Sequence, residues 1–447
     1  MPAWLIALDR HLPIRYLALL GCATAALLGS FAWIGFGVGG WWALLGWAGV
    51  ITGAHDLRQR RHAVLRNYPV IGHMRFLLEF IRPEIRQYFI ESDNEAAPFS
   101  RQQRSLVYQR AKGEPDKRPL GTQLDLHRQG YEWLNHSLQP TVLASHDFRI
   151  TIGEGRAQPY SASVFNISAM SFGALSANAI LALNAGARRG GFMHDTGEGS
   201  VSRYHREHGG DLVWEIASGY FGCRDDAGRF DPDKFAALAT DPQIKLIEVK
   251  LSQGAKPGHG GVLPGPKVTP EIARIRGIPV GKDSLSPNRH PDIANMDQLL
   301  DRVVHVRRLT GKPVGVKTAI GGWEFMNLLT EAVNRRGLDH APDFLTIDGG
   351  EGGSGAAPQA LADHLALSID EALPRVVDAL MENGLKERIK VIASGQIVTS
   401  ARAAWALAAG GEAALTDLLR SWQRELQLAM TLAGVTRVSD IGPAHLD

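Results

Sequence analysis

Apolar and polar positions follow one another along this chain in three distinct regimes. From Tyr16 to His55 the sequence reads YLALLGCATAALLGSFAWIGFGVGGWWALLGWAGVITGAH, with no Asp, Glu, Lys or Arg. One bilayer crossing takes about 20 apolar residues, so this run predicts two apolar helices that turn near GFGVGG. The next regime is mixed. HMRFLLEFIRPEIRQYF has apolar residues at helical spacing and is expected to break at Pro83, and NEAAPFSRQQRSLVYQRAKGEPDKRP reads as a polar, extended connection. From about Ser163, short apolar runs end in Gly-rich turns and alternate with helical stretches. SVFNISAMS, LIEVKLS, KPVGVKTA, PDFLTIDGG and RIKVIASGQ are candidate strands. Between and after them run SANAILALNAGARRG, MDQLLDRVVHVRRLTG, WEFMNLLTEAVNRRG, SIDEALPRVVDALMENG and TSARAAWALAAGG, with helical periodicity. Strand, Gly-bearing loop and helix in repetition predict a parallel α/β fold. The polar residues gather just after the strands, which is where a TIM-type (β/α)8 barrel places its site.

Four segments follow from the pattern: a transmembrane hairpin anchor over 1–56, a connecting extension over 57–150, a barrel over 151–410 and C-terminal helices over 411–447. Arg10 and Arg15 precede the apolar run, and Arg58, Arg60 and Arg61 follow it. Basic residues at both ends place both ends, and the barrel, on the cytoplasmic side of a two-pass membrane anchor. Trp33, Trp41, Trp42 and Trp47 suit the lipid–water boundary. The 447 residues are 45% hydrophobic and 21% charged with a formal net charge of +2, and no basic run is interleaved with aromatics. Nucleic acid is therefore not an expected partner. The two cysteines, Cys22 and Cys223, are too few and too far apart to form a metal cluster.

The chemistry gathers in a few stretches. KLSQGAKPGHGGVLPGPKV, Lys250 to Val268, is too rich in Gly and Pro for a helix or a central strand. HDTGEGSVSRYH sets Glu198 between glycines, as a general acid, an ammonium-stabilising group or a plain surface turn. Lys317 ends the apolar run VGVKT, where an ammonium calls for an anion. DFLTIDGGEGGSGAAP lets backbone approach a ligand closely, and Gly395 with the helix cap at Thr399 or Ser400 follows. Together these last two segments suggest a phosphate-bearing cofactor. His259, His290 and His305 read as polar loop residues, and no spacing marks a metal site.

Taken in order, MSFGALS, DTGEGS, KLSQGAKPGHGGVLPGPKV, DSLSPNRHPDI, VGVKTA, IDGGEGGSGAAP and ASGQI resemble the FMN-binding barrel of the glutamate synthases. The N-terminal hairpin with NYPVIGHMRFLLEFIRPEIRQYF resembles a membrane-attached subgroup of that family. The resemblance implies a flavoprotein that binds FMN and reduces 2-iminoglutarate, formed from 2-oxoglutarate and ammonia, to L-glutamate. It assigns Glu198 and Lys250 to the reacting carbon, and Gln253, Lys256 and Arg276 to the substrate. It assigns Met170, Ser171, Lys317, Gly349, Gly350, Gly395 and Gln396 to FMN. A dicarboxylate needs at least two cationic or donor groups, which Lys256, Arg276 and Gln253 can supply.

The chain also departs from that family's pattern. No N-terminal cysteine nucleophile is present, so free ammonia, another amine or a separate amidotransferase would supply nitrogen. The closely spaced cysteines of an iron–sulfur cluster are absent, so no such cluster is expected and a separate protein would deliver electrons. After ASGQIVTSARAAWALAAGG the chain runs directly into EAALTDLLRSWQRELQLAM. The expectation is a barrel missing its last strand and part of its phosphate site, with the impairment that implies. N-methylglutamate synthesis, 2-hydroxy-acid oxidation and an inactive membrane-tethered scaffold are the alternative readings.

Overall fold

The structure, a computed structural model, describes residues 14–91, 97–114, 120–122, 124–127, 131, 133, 147–355, 357–410 and 414–416. The chain divides into two compact units, Met1–Lys117 and Arg118–Asp447.

In the first unit, α1 (Leu17–Phe36) and α2 (Gly40–Arg58) form an antiparallel pair across a turn at Gly37 and Gly39, both at positive φ. Small residues set the pairing: a Cβ on Gly46 would lie 2.3 Å from the Ala26 nitrogen, so only hydrogen fits there. Outward-facing Leu28, Phe31, Ile34, Trp41, Leu45 and Ile51 are exposed. Helix α1 is long and apolar enough to cross a membrane, and it alone meets that description among the described residues. Next come α3 (Ala63–Asn67) and α4 (Gly72–Ile85). Pro83 does not end the second of these; the helix runs through it into a π-helical turn, Arg86–Ile90. A wide turn absorbs the backbone bond that proline removes. The supposed extended connection contains a helix, Arg101–Lys112, because Ser100 and Gln103 form a reciprocal capping box.

The second unit is built on parallel strands. A small antiparallel pair, β1 (Arg149–Ile152) and β2 (Tyr160–Ser163), leads into β3 (Phe165–Asn166), β4 (His194–Asp195), β5 (Leu212–Ile216) and β6 (Ile244–Lys250). A second antiparallel pair, β7 (Val262–Leu263) and β8 (Ser284–Leu285), sits within the long excursion after β6. Then follow β9 (Val314–Thr318), β10 (Phe344–Asp348), β11 (Lys390–Ser394) and β12 (Ala414–Thr416). Eight strands pair in the order β3-β12-β11-β10-β9-β6-β5-β4, all in parallel. A bridge between Ile167 and His194 joins the two ends, so the sheet closes on itself as a barrel.

That closure corrects the expectation of a missing last strand. Residues Ala414–Thr416, from the atypical tail, pair with Ile392 and Ala393 on one side and with Phe165 and Asn166 on the other. Strand β3 is only two residues long, so a three-residue run is enough to bridge to it. The expected loss of phosphate-site residues concerns the segment after 416, which lies outside the described residues.

The barrel core is apolar toward the start of its strands and carries buried charge toward their C-terminal ends. Trp214, Leu246, Val249, Val316, Phe344, Leu345 and Val391 are buried, and so are Glu215, Glu248, Lys250, Lys317 and Asp348. Register explains the clustering, since Glu215 pairs with Glu248 and Lys250 with Lys317 across adjacent strands. Each strand delivers its charges to the same side at the same height.

Candidate active site

Strand ends and the loops after them gather most of the expected residues. Lys250, the last residue of β6, places its ammonium 3.2 Å from Oε2 of Glu198 in the loop after β4. The same ammonium lies 3.1 Å from Oε1 of Glu215 on β5. The other oxygen of Glu215 accepts from Lys317 on β9 at 2.8 Å. One fully buried carboxylate thus ties together the lysine assigned to chemistry and the lysine assigned to the cofactor.

The electrostatics follow from that arrangement. Burial alone would raise the Glu215 carboxyl, but Lys250 and Lys317 override it and hold the group well below the usual carboxylate range. Glu198 behaves likewise, with burial opposed by Lys250, and ends lowered. Lys317 is pushed well up: desolvation opposes its charge, but Glu215 and Glu248 outweigh it. Two other carboxyls go the opposite way. Burial, then the neighbouring Glu215 and Glu248, raise Asp195 well above its ordinary value, and burial raises Glu248. Glu198 and Glu215, both held down, are the two carboxylates that face the ammoniums of Lys250 and Lys317. Asp195, Glu215 and Glu248 bring carboxylate oxygens within 4.8 Å of one another. Lysines already serve as the counter-ions of this group, so it reads as an ion-pair network rather than a metal site.

Arg276, on the helix Pro270–Arg276, is buried in the adjoining loop. It donates to Ser284 Oγ at 3.1 Å, and to Ser171 Oγ and the Phe172 carbonyl at 3.4 Å each. Its Nε has no hydrogen-bond partner among the described residues. Lys256 is buried, and its ammonium likewise meets no hydrogen-bonding or ion-pair partner among the described residues. Burial lowers the Lys256 pKa, opposed by attraction to Glu198. A cation and a guanidinium N–H left unsatisfied near Glu198 are donors that an anion's oxygens would satisfy. Gln253 lies further out and donates to the Gly353 carbonyl at 3.3 Å.

The glycines meet through bare backbone. A Cβ on Gly254 would stand 1.7 Å from the Gly349 carbonyl oxygen, and one on Gly395 would stand 3.4 Å from the Gly349 Cα. Gly395 itself has φ +133°, open to glycine alone without strain. Asp348 Oδ2 pins this contact by accepting the Gly254 N–H at 2.7 Å. Gln396 donates its side-chain amide to the Glu351 carbonyl at 3.2 Å, Gly350 donates its N–H to the Leu367 carbonyl, and Met170 donates its N–H to the Asp195 carbonyl. The loops after β6, β10 and β11 therefore pack backbone against backbone, next to a barrel interior that carries the Lys317 charge. A flat, electron-accepting ring such as a flavin fits both features. Ser176 caps the helix after Phe172, accepting from the Ala179 N–H, and Thr399 caps the helix after β11.

Several site residues escape a reading of sequence alone. Glu215 and Asp195 lie on strands that the apolar pattern does not pick out. Their signal is an acid inside a short buried run, as in LVWEI. His290, a loop residue, is buried, with Nε2 donating to the Lys250 carbonyl at 2.8 Å and Nδ1 2.9 Å from the Tyr220 hydroxyl. It fixes the backbone that carries Lys250.

Comparison with known proteins agrees with the geometry. The family described as the conserved region in glutamate synthase matches residues 132–417. A glutamate synthase large subunit-like protein, YerD, of Bacillus subtilis (strain 168) is 36% identical over 399 residues, covering 80% of this chain and 75% of that protein. An archaeal-type glutamate synthase [NADPH] of Thermotoga sp. (strain RQ2) is 37% identical over 251 residues, 55% of this chain. An archaeal glutamate synthase [NADPH] of Methanocaldococcus jannaschii is 38% identical over 249 residues. This chain covers only 45% of the length of each of these two synthases. The match spans the whole barrel and every clustered residue above, and the chain belongs to the glutamate synthase family through that conserved region.

Proposed function

We propose that this protein is a membrane-anchored flavoprotein oxidoreductase that reduces 2-iminoglutarate, from 2-oxoglutarate and ammonia, to L-glutamate. One observation carries the reading: the Glu198–Lys250 ion pair stands beside Lys256 and Arg276 Nε, which have no hydrogen-bond partners of their own. The names of the relatives support the same chemistry.

When bound, FMN supplies the hydride. The chain's own groups bind, orient and neutralise. Lys256 and Arg276 take the substrate carboxylates, with Gln253 at the rim as a further donor. Glu198, kept ionised by Lys250, would stabilise the positive charge of the protonated imine. Lys317, buried against Glu215, offsets negative charge that builds on a reduced flavin ring. Met170, Ser171, Gly349, Gly350, Gly395 and Gln396 line the strand ends against which that ring would rest. Electrons and ammonia come from separate proteins or from solution. Helices α1 and α2 form the two-pass anchor, with the barrel on the cytoplasmic side.

Titration tests the reading. FMN added to the purified full-length chain should bind with a shifted flavin spectrum, and 2-oxoglutarate should perturb that spectrum further. Pyruvate, with one carboxylate, should perturb it far less. Equal responses to the two acids would overturn the dicarboxylate assignment.

A further inference from the structure

Beyond the helix pair, the first unit carries a further exposed apolar surface. Along α4, Met74, Leu77, Leu78 and Phe80 are exposed, and the π-helical turn after it exposes Phe89 and Ile90, at 84% and 72%. Helical spacing gathers the α4 residues onto one broad face, and Arg75 and Arg82 fall on the other. Monomeric soluble proteins rarely leave so contiguous an apolar strip uncovered.

The start of α4 is fastened to the end of α2. Asp56, fully buried on the last turn of α2, accepts the Val70 N–H at 3.0 Å and lies 3.0 Å from His73 Nε2 with each of its two oxygens. A Cβ on Gly53 would meet a Val70 methyl at 3.1 Å. Helix α4 thus begins at the level where the apolar surface of the helix pair ends. Between Asp56 and Ile90 the sequence carries seven arginines against three acids, which suits anionic headgroups.

We infer that α4 and its π-helical turn lie in the membrane–water interface, with Phe80 and Phe89 inserted below the headgroups of an anionic bilayer and Arg75 and Arg82 above them. The inference rests on the reading of α1 as a bilayer-crossing helix. An interfacial segment joined to the anchor would hold the following chain close to the membrane rather than on a free tether.

Spin-label accessibility decides it. The full chain with Cys22→Ala is reconstituted in nanodiscs of phosphatidylcholine and phosphatidylglycerol. Nitroxides are then placed singly at Leu28→Cys, Phe80→Cys, Arg82→Cys and Phe89→Cys; Cys223 is buried and does not compete for label. Leu28→Cys should report the bilayer core. Phe80→Cys and Phe89→Cys should sit about 5–10 Å below the phosphates, with an oxygen-to-nickel accessibility ratio several-fold above that of Arg82→Cys. If Leu28→Cys is deep while positions 80, 82 and 89 are equally open to the nickel reagent, the interfacial helix is refuted and the anchor stands. Shielding of positions 80 and 89 from both reagents would mean a protein partner and would equally refute it. A water-exposed Leu28→Cys would remove the anchor itself, and the inference with it.

Discussion

Lys317 holds its ammonium 2.8 Å from Oε2 of Glu215, with both groups buried in the barrel interior. That carboxylate also serves Lys250. Glu215→Gln keeps the shape and removes the charge, leaving two buried ammoniums short of a counter-ion. Breaking a buried pair from one side costs about 3–5 kcal/mol, so the urea midpoint should fall accordingly. Adding Lys317→Met should recover part of the loss. A double variant no more stable than the single one would show that the pair is not coupled.

Lys256→Ala removes an ammonium that contacts no other group by hydrogen bond or ion pair among the described residues. A hydrogen bond to a charged group is worth about 1.5–3 kcal/mol. KM for 2-oxoglutarate should therefore rise roughly 10- to 100-fold by the same relation, while FMN content stays unchanged. Steady-state kinetics with a flavin assay of the purified variant checks both halves. Equal loss of FMN would place Lys256 against the cofactor instead.

Acid should destabilise this barrel through two histidines. Burial holds His194 down to about 3, with His205 adding to the shift, and burial holds His205 down to about 4. Both stay neutral in the fold and charge in the unfolded chain near the ordinary histidine value. Their stabilising contribution is whole above about pH 6.5 and is lost as pH falls from there toward the folded values, by up to about 1.4 kcal/mol per pH unit for each. Urea melts between pH 7 and 4.5 should show this slope, and His205→Gln should reduce it. A slope unchanged in that variant would place the acid sensitivity elsewhere.

Gly254→Ala puts a methyl 1.7 Å from the Gly349 carbonyl. The loops after β6 and β10 must then separate, which also strains the Asp348 contact to the Gly254 amide. FMN affinity should fall sharply while the urea midpoint moves less, because the barrel core is not touched. Gly353→Ala, where the added carbon meets nothing within 4 Å, is the matched control and should bind FMN normally.

The alternating pattern made five of the barrel strands legible, along with the strand-end placement of Lys250, Lys317 and the glycines. Three strands were not legible. β4 spans only two residues and lies in no longer apolar run. β5 carries Glu215 where an apolar residue would be expected, and that charge makes sense only once lysines 35 and 102 residues away fold against it. β12 is three residues from a tail with no family-like strand, and its pairing partners are supplied by the rest of the sheet. His290 read only as a polar loop residue for the same reason: its partners, Tyr220 and the Lys250 carbonyl, are 70 and 40 residues away. Local pattern reveals which residues are unusual, and long-range pairing decides what they are for.

The most direct test of the account is a single turnover. The FMN-loaded full-length protein, reduced photochemically without oxygen, is mixed with 2-oxoglutarate and ammonium while flavin absorbance is followed and the product is analysed. The flavin should reoxidise with one L-glutamate formed per flavin, and Glu198→Gln should slow that step. A flavin that stays reduced with 2-oxoglutarate and ammonium, yet reoxidises with pyruvate alone, would contradict the glutamate synthase reading.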